Sequence, residues 1–310
     1  MNMKEKNDKI YAVVVTYNRL YLLKKTVEAL LGQTARPDKI FIVDNASTDD
    51  TPAYLESLTA DSLFRVIKLD TNTGGAGGFS AGIKAAVKDG CDWVWLMDDD
   101  TEPSSTALEN LIRCKDLDPK VGYLASRVVW RDGRQHLMNV PWVRQDVFVD
   151  GQLYPFDKFG DERAFTINCA SFVSFMIRGE VVGKIGLPYK DFFIWLDDFE
   201  YSMRIKSHGY FGLYVYDSVA VHNTERNEAA TLATAAPSQA WKFFYEVRNR
   251  MFLERFNHKS YLSFVKHSFK QYKRYLKQVD QRADAKDEFR QNIKRGFRAG
   301  LKFRPHIEFI

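Results

Sequence analysis

The chain is poor in cysteine: Cys91, Cys114 and Cys169 are unclustered and odd in number among 310 residues. That scarcity excludes a disulfide framework or a zinc ribbon and points to a reducing compartment, with the three thiols read as structural or incidental. No run of about 18 apolar residues occurs, which excludes a predicted transmembrane helix. The leading Met1-Asn2-Met3-Lys4-Glu5-Lys6 lacks the apolar core of a signal peptide. Internal repeats and low-complexity tracts are missing too. These absences predict a cytoplasmic protein.

What is present suffices for one large α/β domain or a domain with an appendage, since 45% of residues are hydrophobic. The net charge of +5 is unevenly spread. Residues 241–310 hold 18 Lys and Arg against 7 Asp and Glu, so the rest of the chain is net negative. A basic tail on a mildly acidic body predicts an anionic partner for the tail.

Ile10-Tyr11-Ala12-Val13-Val14-Val15 is a short apolar, β-branched run and reads as a buried parallel strand. Further strands are predicted at 39–43, 64–69 and 93–97, with helices at 20–31, 52–58 (Thr51 as N-cap) and, after a glycine loop, up to Lys88. Strands alternating with helices imply a parallel sheet covered on both faces, whose ligands sit beyond the carboxyl ends of the strands. Residues 16–19, Asp44-Asn45, 72–78 and 98–100 all fall at those ends. The middle is less regular. Strands are predicted at 121–130 and, centrally, at 165–178, with a long functional or mobile loop at 131–164. A helix at 199–208, a strand at 210–216, a flexible connection at 223–238 and helical structure from Trp241 to about Lys302 complete the reading.

The acids carry the chemistry. Asp98-Asp99-Asp100 follows directly on Trp93-Val94-Trp95-Leu96-Met97. Stacked carboxylates at the end of a buried strand repel one another and are costly to desolvate, so a compensating cation is expected. Alternate acids of a short turn can share an ion, which pairs Asp98 with Asp100 and leaves Asp99 facing elsewhere; oxygen ligands suit Mg2+ or Mn2+. The competing reading is a solvated acidic cap opened by Pro103. His222, just past a strand, is a further candidate ligand. Asp197-Asp198-Phe199-Glu200 forms a second cluster, either a helix cap favoured by the dipole or a general base raised by aromatic burial. Asn72-Thr73-Gly74-Gly75-Ala76-Gly77-Gly78-Phe79 can bring backbone amides to phosphate or serve packing alone. A dinucleotide fingerprint would follow the first strand, where Thr16-Tyr17-Asn18-Arg19 holds no glycine.

Taken in order, Val13 to Arg19, Ile42 to Asp49, Asn72 to Phe79, the triplet and the second cluster resemble glycosyltransferase family 2. The likeness covers roughly residues 10–250 and is greatest to bacterial galactofuranosyl- and rhamnosyltransferases. It implies an inverting enzyme of the α/β GT-A fold: a Rossmann-like, mostly parallel sheet flanked by helices, here with a helical C-terminal extension. The catalytic domain would span 1–240, with a nucleotide-sugar half at 1–102 and an acceptor half at 103–240, and the extension 241–310. The resemblance implies that Thr16, Arg19, Asp44, Asn72, Gly74, Gly75 and Asp99 line the nucleotide-sugar. Asp98, Asp100 and His222 would hold the metal, Mn2+ or Mg2+. Asp198 would be the base, Asp197 and Glu200 would position the acceptor or support the base, and Trp195 would offer the acceptor a stacking face. The expected donor is UDP-galactofuranose, with dTDP-rhamnose next, and the acceptor a glycan or lipid-linked glycan of a surface polysaccharide. A nucleotidyltransferase and a non-catalytic membrane-associated scaffold are the alternatives. Tyr245-Glu246-Val247-Arg248-Asn249 resembles a segment that often follows the catalytic domain in this branch; no role attaches to it here.

In the tail, Tyr261, Phe264, Val265, Phe269, Tyr272 and Leu276 recur every three or four residues, giving an amphipathic helix with a basic back. It reads either as a face packed on the body or as a peripheral contact with an anionic membrane, at its inner face, where a lipid-linked acceptor would reside. Nucleic acid is not an expected partner, since no recognition motif accompanies the charge. Homo-oligomerisation is left open.

Overall fold

A computed structural model describes residues 8–142, 147–229 and 231–310. The Met1–Lys6 leader, 143–146 of the long loop and residue 230 of the connection lie outside the described residues. In chain order the elements are β1 (Ile10–Thr16), α1 (Leu20–Leu31), β2 (Lys39–Asp44), α2 (Thr51–Leu58), β3 (Phe64–Lys68), α3 (Gly74–Lys88), β4 (Trp93–Asp98), β5 (Thr101–Pro103), α4 (Ala107–Cys114) and β6 (Val121–Val129). Then follow β7 (Val147–Val149), β8 (Gln152–Tyr154), β9 (Ala164–Ile167), β10 (Phe175–Arg178), α5 (Gly179–Ile185), α6 (Asp197–Ser207), β11 (Phe211–His222), α7 (Lys242–Arg255), α8 (Tyr261–Asp280) and α9 (Lys286–Gly300).

The main sheet runs β3-β2-β1-β4-β10-β6-β11-β5, with β9 added to β11. Its first four strands are parallel and β10 enters antiparallel between β4 and β6. All seven residues of β1 are buried, as its uninterrupted apolar sequence requires of a strand covered on both faces. The glycines of α3 bring that helix onto the sheet. A Cβ at Gly78 would lie 2.4 Å from Val15 Cγ1, and one at Gly82 2.3 Å from Val13 Cγ1. Much of the glycine-rich stretch therefore serves packing, and the helix starts at Gly74 rather than after a loop.

Three expectations need correction. The predicted strand 165–178 is two strands on different neighbours, β9 on β11 and β10 on β4 and β6. They are separated by a bend ending at Ser174, whose φ is +54°. Its hydroxyl accepts from Trp95 Nε1 at 3.0 Å and contacts Ser126 Oγ at 2.6 Å. Thr51 is the first residue of α2 and does not cap it; Asp50 precedes the helix. Pro103 ends β5 instead of opening a helix.

The tail is helical as read, in three helices, α7, α8 and α9. Phe243, Val247, Met251, Phe264, Val279, Phe289 and Ile293 form their own core, with Trp195 packed against it. Of the amphipathic positions, Phe264 is buried there while Tyr261 and Phe269 remain exposed. No helix among the described residues is long and apolar enough to cross a membrane.

Candidate active site

β4 carries the triplet to the carboxyl edge of the sheet, between β1 and β10. Asp99 turns towards β1. Its Oδ2 accepts from Thr16 Oγ1 at 2.8 Å and from the Tyr17 amide at 3.4 Å, and its carbonyl accepts from Thr26 Oγ1 at 2.7 Å. Arg19 Nη1 bridges Asp99 Oδ1 at 3.3 Å and Asp100 Oδ2 at 2.9 Å. Burial pushes Asp98 up to about 7, helped by the charges of Asp100 and Asp99 and opposed by His222 and Arg19. Burial likewise raises Asp99 to about 6 against the pull of Arg19.

Asp98, Asp100 and His222, the last residue of β11, each offer one ligand atom, and these atoms lie within 4.8 Å of one another. Asp100 Oδ1 is buried and accepts no hydrogen bond among the described residues, although His222 Nε2 is only 3.2 Å away. On the far side of the ring, His222 Nδ1 meets Asn139 Oδ1 at 2.8 Å, and Asn139 Nδ2 donates to Ser171 Oγ at 2.7 Å. An acceptor at Nδ1 places the ring proton there and leaves Nε2 with its lone pair aimed at Asp100. Two acceptors face to face require a proton or a cation between them. Burial lowers the His222 pKa, but Asp100 overrides it and holds the ring above its ordinary value; burial in turn raises Asp100, and His222 and Arg19 bring it below the carboxylate range. The donor set of two carboxylate oxygens and an imidazole fits Mn2+ or Mg2+.

The second acid cluster opens α6. Burial and the charge of Asp198 hold Asp197 well above the usual carboxylate range, and Asp98 adds to the effect, so the two clusters share one electrostatic environment. Burial raises Asp198 to about 6, while the Phe199 amide, donating to its Oδ1 at 2.7 Å, pulls the other way. Both carboxylates are thus held above their ordinary range, as expected of a buried acid pair that resists carrying two charges. Asp198 lines a cleft of about 220 Å³ with Asn139, Trp142, Cys169, Phe199 and Arg250. The half-exposed Trp142 ring stands edge-on to Phe199, centroids 4.9 Å apart.

The turn before α6 is strained. Phe193, Trp195 and Leu196 have φ of +64°, +66° and +67°, each costing roughly 1–3 kcal/mol for a bulky L-residue. Ile194 N donates back to the Phe192 carbonyl at 2.7 Å, closing a tight turn about Phe193. Gly74 lies beneath it. Its φ of +71° and the 2.0 Å that would separate a Cβ from the Phe193 carbonyl leave room for glycine alone.

The structure thus gathers Thr16, Arg19, Asp98, Asp99, Asp100 and His222 at one point. Asp44 lies buried at the end of β2 and accepts from the Ser47 amide at 2.9 Å. Asn72 Oδ1 accepts from the Gly74 amide at 2.8 Å, and Gly75 faces open space. Glu200 is taken up by a bidentate pair with Arg204, at 2.9 and 2.7 Å, which in turn donates to the Ile185 and Leu187 carbonyls. Trp195 packs edge-on against Phe243 at 5.3 Å.

Several residues carry roles that the sequence alone does not assign. Asn139 and His136 come from the long loop, the His136 ring 4.6 Å from that of His222 and held neutral by burial, with its pKa lowered to about 4. Asn45 ties β2 to the α3 entrance through Gly74 O and the Thr73 amide, both at 2.8 Å. Lys242 of α7 stands over Trp195 and Trp241, at 5.7 and 5.8 Å, its pKa lowered by burial and Arg19 and raised by Asp98 and Asp100. The dense polar content of 131–164 hinted at Asn139 and His136; Asn45 stands in the Asp44-Asn45 pair read at a strand end, and Lys242 belongs to the basic tail.

Galactofuranosyltransferase GlfT1 of Mycolicibacterium smegmatis is 38% identical over 107 residues, 34% of each chain. O-antigen chain rhamnosyltransferase RfbN of Salmonella typhimurium is 30% identical over 104 residues, 34% of this chain and 32% of that protein. The chain therefore aligns with about a third of the length of the curated relatives it matches. Among solved structures, GalNAc-T7 with UDP, GalNAc and Mn2+ has a TM-score of 0.59 at 16% identity, covering 99% of this chain and 56% of that one. The mannosyltransferase PcManGT from Pyrobaculum calidifontis, in complex with GDP-Man and Mn2+, gives 0.54 at 16%, covering 96% and 70%. These likenesses establish the GT-A fold. The family model described as glycosyl transferase family 2 matches residues 11–186, and the chain belongs to that family.

Proposed function

We propose that the protein is an inverting glycosyltransferase that moves a sugar from a nucleoside-diphosphate donor to a hydroxyl of a glycan or lipid-linked glycan in surface polysaccharide synthesis. The observation that carries this reading is the pairing of two buried acid clusters at one sheet edge. One brings together three ligand atoms that could hold a divalent cation, and the other presents a raised carboxylate to a cleft. UDP-galactofuranose is the favoured donor, on the likeness to GlfT1, and dTDP-rhamnose the second, on the likeness to RfbN.

Asp98, Asp100 and His222 would hold Mn2+ or Mg2+, which when bound supplies neutralisation of the departing diphosphate. Asp198 takes the proton of the acceptor hydroxyl, and that oxygen attacks the anomeric carbon from the face opposite the diphosphate. One bond forms as one breaks, and the configuration inverts. Arg19 and Lys242 bring positive charge to the edge where the diphosphate would lie. Asp99 orients Thr16 and Arg19 there. Trp142 and Phe199 offer apolar faces beside Asp198 for the acceptor, a role that the resemblance implies for Trp195.

Residues 1–240 are assigned as the catalytic unit, and the outward face of α8 as the contact with anionic lipid. Leu262 and Phe269 are exposed on that helix beside exposed Lys266, Lys270 and Lys273. A panel of sugar nucleotides with Mn2+ tests the reading by release of the nucleoside diphosphate. Turnover of UDP-galactofuranose or dTDP-rhamnose supports it, and the absence of both binding and turnover across the panel overturns it.

A further inference from the structure

Helix α7 opens the basic tail, yet its buried residues reach the turn that precedes Asp198. Asn249 is fully buried. Its Nδ2 donates to the carbonyls of Phe192 at 3.0 Å, Ile194 at 3.2 Å and Trp195 at 3.0 Å. Its Oδ1 accepts from Arg248 Nε at 3.0 Å and Nη2 at 2.9 Å, which fixes the amide with its two hydrogens towards the turn. Arg248 Nη2 also donates to the carbonyls of Asp191 and, at 3.1 Å, Phe192. The Phe193 carbonyl accepts from the Ala76 amide at 3.1 Å and the Leu196 carbonyl from the Glu200 amide at 2.9 Å. Every carbonyl from Asp191 to Leu196 is therefore held, three of them by one side chain 54 to 57 residues away.

The backbone between those carbonyls is in the conformation that Phe193, Trp195 and Leu196 favour least. Released, it would relax towards negative φ, and rotation there swings the first turn of α6 with Asp197 and Asp198 on it. We infer that Asn249, oriented by Arg248, is the positioning residue for Asp198: it holds the strained turn that aims the carboxylate into the cleft. Helix α7 is on this account part of the catalytic unit, beyond the boundary drawn at 240. The inference rests on Asp198 being the base.

The test measures nucleoside diphosphate release from UDP-galactofuranose and dTDP-rhamnose with Mn2+, together with calorimetric binding of UDP and Mn2+ and the thermal midpoint. Asn249→Ala is expected to lower kcat by about 100-fold, the loss that follows a misplacement of about 1 Å. Donor KM and UDP binding should stay within about twofold, since Asn249 hydrogen-bonds to none of the residues assigned to the nucleotide-sugar. Val247→Ala on the same helix, facing the tail core, is the control: a comparable fall in midpoint with kcat retained. If Asn249→Ala does not fold, Arg248→Gln decides, with an expected loss of kcat of about 10-fold at constant KM. Wild-type kcat in the folded variant, or a loss of kcat that tracks the midpoint equally in Val247→Ala, overturns the inference. Asp198→Asn run alongside separates the two ideas. If it turns over like wild type, the base assignment falls; if it is inactive while Asn249→Ala is wild-type, only the positioning role falls.

Discussion

The contact between Gly74 and Phe193 gives a sharp test of how the donor side and the acceptor side of the site are joined. Replacing Gly74 with Ala introduces one methyl group at φ +71°, 2.0 Å from the Phe193 carbonyl oxygen and 2.6 Å from its carbon. The left-handed backbone alone costs about 1–2 kcal/mol for an L-residue, and overpacking about 1–3 kcal/mol more. If the turn yields instead, ordinary contact at 3.4 Å requires the carbonyl to retreat by about 1.4 Å. Phe193 lies five residues before Asp198, in a turn whose other carbonyls are pinned, so the retreat is passed to the start of α6. A displacement of about 1 Å at a reacting group costs roughly 100-fold in rate. Gly74→Ala should therefore lose about 2–5 kcal/mol of stability, about two orders of magnitude in kcat, or a share of each. Gly75→Ala is the internal control: a Cβ there meets nothing within 4 Å, and the backbone is not left-handed. Its stability should hold or rise by up to about 1 kcal/mol, and only donor KM should rise if the sugar-nucleotide packs against it. Thermal unfolding and steady-state nucleoside diphosphate release read both variants. Wild-type midpoint and kcat in Gly74→Ala would refute the argument that the glycine is required by the turn.

Asp198→Asn should lower kcat by about 10²- to 10⁴-fold, the usual weight of a general base, with UDP affinity measured by calorimetry unchanged. Because burial raises Asp198 to about 6 and the base acts only when ionised, kcat should fall as pH drops through about 6 and level off above it; a flat profile from pH 5 to 8 contradicts the assignment. Asn139→Ala removes the acceptor that orients His222 and should weaken Mn2+ binding by about 10- to 100-fold, read by metal titration, whereas full activity after thorough chelation would dismiss the metal site. Leu262→Ser with Phe269→Ser should reduce sedimentation with phosphatidylserine-containing liposomes while leaving turnover of a soluble donor intact, and unchanged partitioning removes the membrane contact.

What could be read from the chain alone was whatever is written in neighbouring residues. Strands β1, β2 and β4 announce themselves as short apolar runs, and the acids that end β4 and open α6 stand beside them, so the sheet edge and its two acid clusters were legible. Where a local signal had two causes, the reading divided. The glycines that open α3 fit both phosphate approach and packing; the structure gives Gly78 and Gly82 to packing on Val15 and Val13, Gly74 to the Phe193 turn, and leaves Gly75 open. The stretch from Phe165 to Arg178 reads as one strand because apolar residues recur along it, but it breaks before Ser174, whose hydroxyl is held by Ser126 and Trp95 from other strands.

The roles of Asn139 and of Asn249, the latter in a segment that the resemblance picks out without a role, were illegible for a different reason. An amide side chain in a loop or helix has no periodic signature, and its partners lie 83 residues away at His222 and 54 to 57 residues away at the turn. Both do the same kind of work: they fix a group whose own sequence context leaves it free. His222 alone could present either ring nitrogen, and Asp198 alone would follow a turn that its residues resist. The acids and the imidazole specify what chemistry is available, and the distant amides specify where it points. The strain at Phe193, Trp195 and Leu196 is thus a consequence of aiming a carboxylate from a helix start into a cleft, and α7 supplies the hydrogen bonds that make that geometry the stable one.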